Sequence, residues 1–333
     1  QRIAVIGPNA EDAYLGGYSD EPRQTVSLLE GITAHVGESA EVVFAPGVQV
    51  TLDHNWFADV VELADEQANR QSITEAAEVA AKADVAIVAI GGNEMTSREA
   101  WGEYHLGDRD SLDLVGQQEA LVRAIVETGT PTVVVLVHGR PLTINYIAEN
   151  VPAILDSWYL GQEAGTAIAK ALFGEVNPGG KLPVTVPRSV GQLPHVYNHK
   201  PTARRGYLFE EKEPLWPFGF GLSYSSFHIK TPKIESSEIR VGESTTLSVE
   251  VVNTGKVAGD EVVQLYIRDL VSSVTRPVKE LKGFERVRLD PGERQTVTFP
   301  IGAAQLEFYD REPYEQGLIV GKGVGIERQY EHL

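Results

Sequence analysis

One stretch concentrates the side chains that could do chemistry. Residues 91–118 hold Glu94, Glu99 and Glu103, each able to give or take a proton, with Arg98, Trp101 and Tyr104 set among them. Trp101 and Tyr104 offer flat apolar faces of the kind that suit the C–H face of a pyranose ring. A carboxyl group beside such rings loses hydration, which disfavours its charged form and suits it to general acid work. The bland alternative is a solvated surface loop whose carboxylates pair with Arg98 and Arg109. Loops of this length inside a compact domain are functional or disordered as a rule, and the Trp and Tyr argue against disorder.

Other reactive types are fewer. His138-Gly139-Arg140 follows an apolar run, although a His at a strand end is more often a hydrogen-bond partner than a catalyst. Gly7, Gly16 and Gly17 do not make the G-x-G-x-x-G pattern of a nucleotide site. The sequence has no Cys, which excludes disulfides, thiol nucleophiles and thiolate metal sites. Of its 8 His only His195 and His199 stand at His-x-x-x-His spacing, and no third carboxylate accompanies them, so neither a metal nor a cofactor is expected. With 29 basic and 47 acidic side chains the net charge is −18, which repels nucleic acid and anionic membranes and leaves a neutral sugar unaffected. The apolar runs, 85–90 and 133–137 among them, are strand-sized, far short of the roughly 20 residues that cross a bilayer. No initiator Met or targeting segment precedes the first strand, so the chain reads as a processed or partial product.

These side chains need a frame. From residue 3 to about 187, β-branched runs bounded by Gly or Pro alternate with amphipathic stretches, the pattern of a largely parallel sheet. Strands are predicted over 3–6, 42–44, 85–90, 132–137, 153–158 and 182–186, and helices over 26–35, 73–82, 116–127, 141–148 and 163–173. The reactive stretch therefore starts where strand 85–90 ends, and ligands of open α/β sheets sit beyond the carboxyl ends of strands. Residues 191–224 crowd Pro, Gly and aromatics together, which predicts a connector packed on a domain surface. After 227, period-two runs at 246–252, 262–267 and 296–301 alternate with turn signals and predict an antiparallel sandwich with Tyr266 and Phe308 in its core. The expected fold is a layered α/β sandwich with a mostly parallel sheet over 1–200, a packed connector over 201–232, and an all-β sandwich over 233–333.

Three segments carry a family likeness. The first is Glu-x-x-x-Gly-Asp-Arg at Glu103 to Arg109, followed by Ser111-Leu112-Asp113-Leu114. The second is Pro217-Phe218-Gly219-Phe220-Gly221-Leu222-Ser223-Tyr224. The third joins Val251-Val252-Asn253-Thr254-Gly255 to Gly259-Asp260-Glu261-Val262-Val263-Gln264-Leu265-Tyr266. In this order and spacing the chain resembles the C-terminal half of glycoside hydrolase family 3, the β-glucosidase and β-xylosidase family, almost from its first residue to its last.

The resemblance implies an α/β sandwich followed by a fibronectin type III-like domain. It implies retaining, exo-acting hydrolysis of terminal β-linked sugars, with the general acid/base at Glu103 and, because this loop varies within the family, Glu99 as the second candidate. Arg98, Trp101 and Tyr104 would bind substrate on the leaving-group side. The nucleophilic Asp would come from an N-terminal barrel, so a small oligosaccharide or β-glycoside and that barrel are the expected partners. β-Glucosidase is the first expectation and β-xylosidase the second. A non-catalytic carbohydrate-binding or scaffold module is the competing class. Family habit implies a periplasmic or secreted location, with the cytoplasm as the alternative.

Overall fold

The computed structural model describes residues 1–20, 22–201 and 206–309. Strand and helix alternate first: β1 Arg2–Ile6, α1 Leu28–Val36, β2 Glu41–Ala45, α2 Glu66–Ala80, β3 Val85–Gly91, the single turn α3 Glu94–Ser97, α4 Gln118–Glu127, β4 Thr132–Val137, α5 Asn145–Asn150, β5 Ala153–Asp156 and α6 Ala164–Leu172. The five strands form one parallel sheet in the order β2-β1-β3-β4-β5. Ile3 stands beside Val42 and Val85, and Val135 beside Ala89 and Leu155.

The inner strands β1, β3 and β4 are buried along nearly their whole length, as in a sheet covered on both faces. Val5, Ile87 and Val135 pack with Leu28 and Ile32 of α1 and Ile168 of α6. The alternate residues Ile6, Val88 and Ile90 are buried too, and α2 and α4 touch β1 and β3. Each such aliphatic side chain contributes about 1.5–3 kcal/mol. Caps fix where helices begin. Ser27 and Glu30 cap α1 reciprocally, and Asp65 accepts from the Ala68 N–H at 2.8 Å. This cap starts α2 ahead of the predicted 73–82, because Glu66 to Gln71 show no apolar stripe to read.

The chain leaves β1 for β2 and returns to β3 on the other side. The loops after β1 and β3 therefore diverge and open a crevice at the carboxyl edge. Residues 91–118 begin at that crevice.

The chain divides into two compact units, residues 1–176 with 186–193, and residues 177–185 with those from Pro194 onward. The predicted strand 182–186 does not form. Instead, the Leu182 N–H donates to the Phe220 carbonyl at 2.7 Å and its carbonyl accepts from Gly219 at 2.8 Å, while Lys181 pairs with Glu261 at 3.0 Å. The aromatic stretch takes up the hydrogen bonds that a sheet would have used.

The second unit holds β6 Phe227–Ile229, β7 Lys233–Ile234, β8 Thr245–Asn253, β9 Gly259–Ile267, β10 Glu280–Leu289, β11 Arg294–Ile301 and the short α7 Ala303–Leu306. Its pairing is antiparallel throughout, β11-β8-β6 with β7 also on β8, and β10 on β9. Val249 and Val251 of β8 meet Val263 and Leu265 of β9 in an all-β core with Leu289 and Phe299. Tyr266 is buried; Tyr197 meets its ring edge-on at 5.8 Å and stacks on Phe218 at 4.4 Å. Phe308 is half-buried beneath Arg276. No helix among the described residues is long and apolar enough to cross a membrane.

Candidate active site

The loop after β3 is anchored before it becomes reactive. Gln118, wholly buried at the start of α4, accepts from the Gly91 N–H at 2.8 Å and donates to the Gly91 carbonyl at 2.9 Å. One amide thus satisfies both backbone groups at the strand end. Asn93 and Thr96 cap α3 reciprocally. Glu94 accepts from the N–H groups of Leu15 and Gly16 at 3.1 and 3.2 Å, so this carboxylate braces the loop after β1.

A cavity of about 400 Å³ opens here, with Gly17, Trp56, Ser97, Glu99, Gly139 and Tyr159 in its wall, a volume that suits a small sugar. Trp56 lies on Gly17, where a Cβ would come within 2.0 Å of the indole. Tyr18 and Trp101 meet it edge-on at 5.9 and 6.1 Å. Tyr159 follows β5; its hydroxyl lies 3.0 Å from Ser97 Oγ, and its ring needs Gly139, where a Cβ would approach to 2.8 Å. Burial pushes this phenol up to about 12, the Ser97 hydrogen bond opposing and Glu94 adding. At neutral pH it is a donor. The carboxylate of Glu99 is exposed and accepts from the Tyr18 hydroxyl at 3.4 Å.

Past Glu99 the chain makes an excursion and returns. The Ala100 N–H donates to Asp108 at 3.1 Å, and Gly107 packs so tightly that a Cβ would come within 2.4 Å of the Glu99 carbonyl carbon. Glu103 lies in this excursion, exposed, outside the cavity wall, and without a hydrogen bond or ion pair among the described residues. Tyr104 is 73% exposed. Trp101 stacks on His105 at 4.0 Å. Arg98, expected to bind substrate, is fully buried and donates to the carbonyls of Trp56, Ala58 and Asp59 at 2.9, 2.8 and 3.3 Å. The structure therefore gathers Glu99, Arg98 and Trp101 around Trp56, and leaves Glu103 and Tyr104 outside.

Residues 1–224 match the glycosyl hydrolase family 3 C-terminal domain, and residues 261–323 match a fibronectin type III-like domain. The chain belongs to glycosyl hydrolase family 3. Within family 3 it is 44% identical over 322 residues to a β-xylosidase of Formosa agariphila, across 93% of this chain and 42% of that protein. It is 38% identical over 346 residues to a periplasmic β-glucosidase of Salmonella typhimurium, across 96% of this chain and 44% of that protein. A solved β-glucosidase from Erythrobacter marinus matches it with a TM-score of 0.91 at 45% identity, across 96% of this chain and 43% of the other. The chain thus spans less than half the length of these family 3 proteins.

Two wall residues of this family 3 chain escaped the sequence reading. Tyr159 lies just past the end of β5, at the carboxyl edge where ligands gather, and Trp56 lies in the long loop after β2; edge position and loop length were the available signals. His138, buried at the end of β4, has its Nε2 2.5 Å from Asp156 and its ring against Trp158 at 4.6 Å. It is the hydrogen-bond partner that a strand-end His more often is. A second cavity of about 410 Å³, bordered by Asn9, Asp12, Tyr14, Gln49 and His54, includes none of the three loop glutamates.

Proposed function

We propose that this chain is the C-terminal part of a retaining, exo-acting β-glycosidase, a β-glucosidase first, and that Glu99 is its general acid and base. The carrying observation is the cavity wall, in which Glu99 stands with Trp56 and Tyr159 while Glu103 lies outside it. In the first step Glu99 gives its proton to the glycosidic oxygen as the bond to the anomeric carbon breaks. An Asp from an N-terminal barrel attacks that carbon and becomes glycosylated. In the second step Glu99 takes a proton from water, which attacks the anomeric carbon and releases the Asp carboxylate. Retention requires the two carboxyl groups to lie about 5–5.5 Å apart, so the barrel has to bring its Asp to the mouth of this cavity. Tyr159, holding its proton at neutral pH, donates to a sugar hydroxyl. The β-xylosidase reading is second, supported by the identity to the Formosa protein. The periplasmic Salmonella relative supports export.

The test uses the full-length enzyme, barrel included, with Glu99→Gln and Glu103→Gln on cellobiose and on 2,4-dinitrophenyl β-glucoside. Glu99→Gln is expected to lower kcat/KM on cellobiose by about 10³ and far less on the aryl glycoside, whose leaving group needs no proton. Glu103→Gln is expected to stay within about threefold of wild type on both. The opposite pattern returns the role to Glu103. If neither variant loses activity on cellobiose, the proton donor lies elsewhere.

A further inference from the structure

We propose that Arg98 is a positioning residue: it sets the gap between Trp56 and Glu99, and through that gap the grip on the leaving group. The inference rests on the cavity being the reaction site, as above. Arg98 is 1% exposed, and among the described residues no carboxylate pairs with it. A buried cation without a counter-ion is costly and is a poor way to gain stability. Backbone carbonyls take the place of the counter-ion. Nη1 donates to Trp56 and Ala58, and Nη2 to Asp59. All three acceptors belong to the one turn that presents Trp56, a turn otherwise shaped by Asn55, whose carbonyl accepts from Ala58 at 2.9 Å and whose side chain accepts from Phe57 at 3.1 Å.

At its other end Arg98 is fixed to the sheet. Its own carbonyl accepts from Arg140, just past β4, at 3.2 Å, and its next neighbour is Glu99. One side chain therefore spans from the wall that carries the carboxylate to the wall that carries the indole. Beyond the ring contacts of Trp56 and Phe57 the turn is open, Phe57 being 77% and Val60 57% exposed, and such segments sit at the low end of local stability. A second tie, from the Leu106 N–H to the Asp59 carbonyl at 2.8 Å, joins the same turn to the excursion. A planar fork spreads its donors over separate nitrogens and holds these three carbonyls in a fixed geometry, whereas the three donors of an ammonium leave from a single atom.

The experiment is a double-mutant cycle in the full-length enzyme: wild type, Arg98→Lys, Trp56→Ala and the double variant, with kcat and KM measured on cellobiose. Arg98→Lys should raise KM about tenfold with kcat within about threefold, and in the Trp56→Ala background the same substitution should move KM by less than about twofold. A residue that serves stability alone would lower the melting temperature and the active fraction equally in both backgrounds and leave KM unmoved, and that result overturns the proposal. Arg98→Gln, which keeps an amide donor, runs the same cycle should the Lys variant not fold. The coupling is read in KM and does not require Glu99 to be the acid. An unaffected Glu99→Gln with an intact cycle sinks the acid assignment and leaves Arg98 standing; the reverse leaves the acid and removes Arg98.

Discussion

Residues 91–99 and residues 100–107 are neighbours in one loop, yet the first are mostly buried and held by named partners while the second mostly face solvent. Gln118, the Asn93 cap, the Glu94 brace and the Arg98 fork all act on the first stretch. The second is tied by the Ala100–Asp108 and Leu106–Asp59 bonds and by the ring contacts of Trp101 with His105, Trp56 and Phe57. The contrast teaches where a reactive group can be: a carboxylate does acid work from a frame that fixes it to within a fraction of an ångström. The backbone at Glu99 adjoins such a frame, through Arg98, and that at Glu103 does not.

The widest separation is catalytic, the thousandfold difference expected between the Gln variants of Glu99 and Glu103; equal losses would break the comparison outright. The Arg98 cycle comes next, at about tenfold in KM. A third effect is on stability. Gln118→Ala leaves the Gly91 N–H and carbonyl buried and unpaired, a cost of about 2–4 kcal/mol, which thermal unfolding should register as a Tm lower by about 5–10 °C. A Tm unchanged within error would mean that the strand end is not held by this amide.

Smaller effects sharpen the picture of the excursion. Burial, with Arg98 adding and Asp59 opposing, holds the His105 imidazole below its ordinary value. The folded state then binds this proton less readily than the unfolded chain does. Its stabilising contribution is complete above about pH 6.5 and declines as the pH falls below that. Hydrogen-exchange protection of residues 98–106, corrected for the intrinsic pH effect, should weaken from about pH 7 to about pH 5 in wild type and stay level in His105→Phe. The same slope in both would clear His105 of any part. Least of all, Tyr104→Ala should shift stability by under about 0.5 kcal/mol; a larger loss would show that the excursion is firmer than its exposure suggests.

The sheet is legible from sequence because β3 and β4 are unbroken apolar runs bounded by turn signals, and the predicted 85–90 and 132–137 fall on them almost residue for residue. β10 is not legible. Glu280, Lys282, Glu285, Arg286 and Arg288 fill it with charge and only Val287 and Leu289 are buried, so no period-two run stands out. The site is legible to the loop and not to the residue. The resemblance points through Gly107-Asp108-Arg109 to Glu103, but which glutamates border the cavity, Glu94 and Glu99 and not Glu103, depends on where the backbone doubles back, at the excursion that the Ala100–Asp108 bond closes. That the Arg98 fork is taken up by carbonyls about 40 positions earlier in the chain is a tertiary fact that the sequence does not display.

Because a single amide closes both backbone groups of Gly91 and also takes the Val115 carbonyl, the segment from 92 to 117 hangs from a collar at its two ends. The strand end is thus sealed by the two residues that flank the segment, Gly91 and Gln118. Under the proposed function, aglycone preference would be set by residues that lie between those two ends.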